Sequence, residues 1–132
     1  MKKQRINIEY ELQSSSPNII WPLLSSAHGL EKWLADSVTR EDETLTFTWG
    51  QVWSHHETRR ALITEEIKQQ RIRLRWEDET DDEAYWQMEI EKSDITNDYI
   101  LIITDYAEDN DVDSLYDIWD NNLERLHRTT GL

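Results

Sequence analysis

The stretch WSHHETR, residues 53–59, places two histidines beside a glutamate and an arginine. These residue types serve proton transfer, metal ligation and anion binding. Each chemistry demands its own spacing. A zinc site needs three or four converging ligands. On a strand His55 and His56 point to opposite faces, so only one of them can share a face with Glu57, and no metal is expected. Proton transfer would fall to His55 and Glu57, yet nothing in their spacing demands it. The chain has no cysteine, and neither a nucleophile elbow nor a phosphate-binding loop occurs in it. No catalytic residue and no cofactor are therefore assigned. A second acidic run puts Asp109, Asp111 and Asp113 at the first three positions of a calcium loop, with Asp120 at the twelfth. Ser114 stands where such a loop needs glycine, so capping of the following helix is the better reading.

Any role for WSHHETR depends on the strand that carries it. In an unbroken register over residues 51–67, Trp53, His55, Glu57 and Arg59 share the inward face with Ala61, Ile63 and Ile67. Inside a dry groove such polar groups are costly unless paired, so they would form a network or meet a ligand. A bulge would instead turn the first half of the strand outward. Both readings stay open here.

The other strand signals are more regular. Ile6, Ile8, Tyr10 and Leu12 alternate with polar residues, as do Leu45, Phe47 and Trp49. Ile72, Leu74 and Trp76 alternate with three arginines, and Trp86, Met88 and Ile90 with Gln87, Glu89 and Glu91. A period of two marks a sheet with one dry and one wet face. The outward arginines of one strand should lie opposite the outward glutamates of the next. The segment DYILIITDYA is apolar on both faces, as a covered strand or one near a sheet edge would be.

Two helical regions interrupt this pattern. Ser16 and Pro17 suit the N-cap and first turn of a helix. Ile19, Ile20, Leu23 and Leu24 form its stripe, and Pro22 bends it. His28-Gly29 ends it, and Leu30, Trp33 and Leu34 line a second short helix. The chain closes with a helix from about Asp113 to Thr129, its stripe formed by Leu115, Ile118, Trp119, Leu123 and Leu126. Asp111 and Asp113 suit its positive end, and Arg125, His127 and Arg128 its negative end. Asn122 lies seven residues after Leu115 on that stripe, where an amide needs a partner.

At 132 residues, with no repeat or linker, the chain reads as one domain over residues 1–132. A net charge of −14 opposes binding to nucleic acid or anionic lipid. The start lacks the apolar run of a signal peptide, and no segment approaches the ~18 apolar residues of a membrane span. A soluble, cytoplasmic protein is expected. The seven tryptophans can either fill a core or line a pocket.

The order of strand, bent helix pair, six antiparallel strands and long terminal helix predicts an α+β fold. A curved antiparallel sheet of six or seven strands is gripped by the terminal helix. This arrangement resembles the helix-grip fold of START-like, birch-pollen-allergen-like (SRPBCC) domains. SSSPNIIWPLLSSAHGLEKWLAD and IWDNNLERLHRTTGL are similar to the opening and closing helices of bacterial homologues of the heat-shock-protein-90 ATPase activator. The resemblance implies a non-enzymatic domain that binds a small apolar or aromatic ligand between sheet and terminal helix. Two alternatives follow from it: a protein-interaction module with a filled core, and a polyketide cyclase-like enzyme whose acid–base pair would be His55 and Glu57. For a ligand, Trp49, Trp53, Trp76, Trp86 and Trp119 would form apolar walls, with His55, Arg59 and Asn122 as polar contacts. Arg59 would favour a carboxylate or phenolate. A cavity of ~300 Å³ or more would favour a ligand, and a filled groove a protein partner.

Overall fold

The computed structural model describes residues 2–51 and 53–132. Strand β1 (Gln4–Glu11) is followed by helices α1 (Pro17–Ser25) and α2 (Ala27–Glu31). Strands β2 (Ser37–Glu41), β3 (Thr44–Gly50), β4 (His56–Ile67), β5 (Arg71–Trp76), β6 (Trp86–Lys92) and β7 (Tyr99–Ala107) come next. A 3₁₀ turn (Asp109–Asp111) leads into helix α3 (Val112–Thr130). The seven strands form one antiparallel sheet in the order β1-β7-β6-β5-β4-β3-β2. This is the α+β, helix-grip arrangement that the alternation and helix stripes predict.

The topology explains why helices interrupt the sheet. β1 and β2 are consecutive strands at opposite edges, so the chain between them must cross the full width of the sheet. α1 and α2 make that crossing and bury Ile20, Trp21, Leu23, Leu24 and Leu30 on the way. Ser26 breaks the two helices apart, and its side chain caps α2 by accepting from Gly29 N–H at 3.0 Å. The first helix thus ends before His28-Gly29, contrary to the sequence reading. Gly29 is required because a Cβ there would lie 1.9 Å from the Pro22 carbonyl oxygen.

With three glycines in the chain, the tight turns use other residues in the left-handed region: Asp42, Gln69 and Asn97, with φ of 54°, 62° and 64°. Asp and Asn tolerate that region through short polar side chains.

α3 docks on both layers. Trp119, Leu123 and Leu126 are buried against the sheet and α2. The Arg125 guanidinium donates to the carbonyls of Glu31 and Ala35, each at 3.1 Å. Two residues of the expected stripes lie outside the core: Ile19 is 61% and Ile118 is 54% exposed.

On the outer face Arg71 pairs with Glu89 across β5 and β6, as expected, and also bonds Glu65. Arg73 faces Gln87, to which its Nε donates at 2.8 Å. β7 lies between β1 and β6, one strand in from the edge. Ile100 and Ile102 on its outer side are half-buried.

The long strand departs from an unbroken register twice. Gly50 takes φ 91° and closes a hairpin in which Gly50 pairs with His56. Trp53 and His55 fall in the turn before β4, outside the ladder, and are exposed, Trp53 at 81%. Their predicted inward orientation is corrected by this turn. A bulge between Ile63 and Glu65 then shifts the register. Ile67 comes opposite Arg71 on the outer face, while Glu66 comes opposite Ile72 and bonds Arg40 at 3.0 Å. Between these two breaks Glu57, Arg59, Ala61 and Ile63 hold the inner face.

Candidate functional site: an indole-lined groove

A groove of about 480 Å³ lies between the N-terminal half of α3 and the inner face of the sheet. Strands β3, β5 and β6 supply the aromatic floor, with β4 between β3 and β5. Phe47 and Trp49 come from β3, Trp76 from β5 and Trp86 from β6, each at an inward position of a period-two strand. α3 closes the top with Leu115, Trp119 and Asn122. Exposed Glu57, Ile118 and Asn121 line it where it opens to solvent.

The aromatic rings form one connected set. Trp76 and Trp86 stack with centroids 5.1 Å apart, and Trp86 meets Trp119 at 6.2 Å. Phe47 lies edge-on to Trp76 at 5.5 Å and to Trp86 at 5.7 Å. Two indoles are anchored through their N–H groups: Trp49 donates to the Leu34 carbonyl at 2.8 Å, and Trp119 to Asp105 Oδ2 at 2.9 Å. Trp86 differs. It is 2% exposed, and its Nε1 is a buried donor with no hydrogen-bond partner among the described residues.

Asp105 is a carboxylate that sequence reasoning misses. It lies on β7 at the same parity as buried Leu101 and Ile103, so it faces inward. Its Oδ1 accepts from the Tyr106 backbone N–H at 2.7 Å. Burial pushes its carboxyl up to about 6, against the opposing pull of the Trp119 and Tyr106 hydrogen bonds and of Lys3. The signal was present in DYILIITDYA, where a lone aspartate falls on the parity of the core residues.

Arg59 stands at the wall of the groove with its guanidinium 4.0 Å above the Trp76 ring. It also donates to Asp78 Oδ1 at 2.9 Å, and this bond holds the Asp78 carboxyl below its usual range. The structure therefore brings together Trp49, Arg59, Trp76, Trp86, Trp119 and Asn122. It leaves Trp53 and His55 outside, and so separates His55 from any pairing in the groove with Glu57. Asp109, Asp111 and Asp113 sit in the 3₁₀ turn and first turn of α3. Among the described residues no three His, Asp or Glu side chains converge as metal ligands.

The model of the START-like superfamily domain matches residues 1–132. The chain belongs to the START-like superfamily. Among solved structures, this START-like chain is 38% identical to a Bacteroides fragilis protein determined by solution NMR. That match has a TM-score of 0.65 and covers 98% of this chain and 92% of the other. The Aha1 dimer from Colwellia psychrerythraea superposes with a TM-score of 0.71 at 16% identity, covering 97% and 98%. An uncharacterised Bacillus thuringiensis protein gives 0.73 at 11% identity, covering 95% and 97%. At such identities the last two likenesses concern the fold alone. Among curated proteins none matches this START-like chain. No helix among its described residues is long and apolar enough to cross a membrane.

Proposed function

We propose that this START-like domain binds a small, largely aromatic molecule in the groove between α3 and the sheet, without catalysing its conversion. The carrying observation is the groove of about 480 Å³ walled by Trp49, Trp76, Trp86 and Trp119. That volume is in the range of ligand pockets, which are mostly apolar with a few placed polar groups. Large, flat indoles offer contact area with little side-chain entropy to lose on binding. Exposed His55 cannot join Glu57 in acid–base work on a molecule held there, so the geometry lends the cyclase-like reading no support.

The filled-core alternative, in which the domain only engages a protein partner, predicts indoles packed against one another with no space left between them. Intrinsic tryptophan fluorescence separates the two readings. Titration with a panel of neutral aromatic compounds, aromatic acids and fatty acids is expected to quench or shift the emission with saturable dependence for the aromatic members. No response to any member of the panel would overturn the ligand reading in favour of the interaction module.

A further inference from the structure

The charges on the groove define a narrower ligand class, an inference that rests on the ligand-binding reading above. Two of its indoles present surface: Trp49 and Trp76 are half-buried, with centroids 6.4 Å apart and planes at 54°. Trp86, stacked on Trp76, and Trp119 are buried, so a ligand meets Trp49 and Trp76 first. Between the strands that carry these two runs β4, with Glu57 and Arg59 on the same face. Glu57 lies directly opposite Trp49 in the β3–β4 register and is exposed. It makes no ion pair among the described residues.

Arg59 shows what the other indole accepts. Its guanidinium carbon lies 4.0 Å from the centroid of the Trp76 ring, and indole is the aromatic side chain that attracts a cation most strongly. Arg59 is the one cation lining the groove among the described residues, and Asp78 bonds it at 2.9 Å. Glu57 is therefore left as an uncompensated negative charge beside an open indole. Asp105 adds a further carboxylate on the buried wall. Its oxygens already accept from Trp119 and Tyr106, so it contributes to the field and not a contact.

We propose that the groove takes an organic cation, a protonated or quaternary amine on an aromatic body. The ammonium group sits against Trp49 with Glu57 as its counter-charge, and the aromatic body lies between the sheet and α3. Arg59 is the protein's own cation on the Trp76 face, and it swings towards exposed Asp78 as the ligand enters.

A carboxylate is opposed at the same points. At Arg59 it meets Asp78, already bonded there, and Glu57 two residues along the same strand face. The net charge of −14 slows an anion's approach and speeds a cation's. Arg59 considered alone suggests an acid, whereas its neighbours favour the opposite charge.

Three probes of similar size differ in charge: naphthylmethylammonium, naphthylmethanol and naphthoate. Calorimetry at neutral pH is expected to show the ammonium probe binding about tenfold or more tighter than naphthoate, because a partly dry site strengthens attraction and repulsion alike. The alcohol should fall between them. Added salt should weaken the ammonium probe and leave the alcohol unchanged. Glu57→Gln should lower the preference for the ammonium probe over the alcohol by about threefold or more. Arg59→Ala should raise that preference by about the same factor, because it clears a like charge from the Trp76 face. Expressing each result as a ratio cancels the space that both probes gain. Naphthoate binding as tightly as the ammonium probe overturns the inference. So does a preference that Glu57→Gln leaves unchanged, or one that fails to rise in Arg59→Ala. Equal binding of all three probes overturns it while leaving the ligand-binding reading standing. Failure of all three to bind overturns both.

Discussion

The indole N–H of Trp119 donates to the Asp105 carboxylate at 2.9 Å, joining the C-terminal helix to β7 through a bond that is itself buried. The helix grips the sheet partly through a charge held where charge is unfavourable.

That placement makes stability depend on pH in a defined direction. The folded-state pKa of Asp105 is about 6, above the ~3.9 of an unfolded aspartate. The native state therefore holds the proton more tightly. Its contribution favours folding fully below about pH 4, is lost as pH rises towards 6, and leaves a penalty above that. Asp105→Asn removes the charge and keeps one acceptor, for Trp119, but it loses the bond from Tyr106 N–H, because an amide NH₂ cannot accept. It should stabilise the fold by about 1–3 kcal/mol at pH 7–8, and the gain should vanish near pH 4. Urea denaturation across that range measures it. A gain independent of pH would mean that the carboxyl is not the titrating group.

Trp119 combines packing with this bond. Trp119→Ala should cost about 3–5 kcal/mol as a core truncation. Trp119→Phe keeps most of the ring but removes the donor, leaving Asp105 short of a partner at about 1–3 kcal/mol. Combined with Asp105→Asn, the Phe variant should show coupling of about 0.5 kcal/mol or more in a double-mutant cycle. Strict additivity would place the Trp119 contribution wholly in packing.

The glycines should differ sharply. At Gly29 a Cβ meets backbone atoms of Pro22 and Leu23 at 1.9–2.7 Å, so Gly29→Ala should force α1 and α2 apart and destabilise the fold by about 3 kcal/mol or more. At Gly131 nothing lies within 4 Å and only the φ of 78° opposes a side chain, so Gly131→Ala should cost about 1 kcal/mol. Thermal unfolding of the two variants side by side checks the ranking.

Trp53 serves as the internal control. It is 81% exposed in the hairpin turn, so Trp53→Ala should change stability by no more than about 0.5 kcal/mol. It should also remove the emission most open to quenching by iodide. A clear loss of ligand affinity in this variant would return the residue to the groove.

How much of this was legible beforehand follows the range of the forces involved. Period-two alternation in TLTFTWG, RIRLRW and AYWQMEIEK is set by the pleat of each strand alone, and it correctly orients Trp49, Trp76 and Trp86. The helical period does the same for Trp119 and Asn122, and the order of elements carries the START-like fold.

Tertiary structure decided the rest, because register and cavity depend on neighbours that are distant in sequence. Whether the chain from Gln51 to Ile67 runs as one strand depends on its pairing with β3 and β5. The hairpin at Gly50 and the bulge after Ile63 withdraw Trp53, His55 and Ile67 from the inner face. The buried charge of Asp105 was hidden for a related reason: its residue type suggests the surface, and only tertiary packing, with Trp119 of α3 set against it, removes it from water. The amino-acid sequence alone names five tryptophans for the groove, and the structure keeps Trp49, Trp76, Trp86 and Trp119 there. That they line one groove depends on how α3 packs over the sheet, which no local pattern encodes.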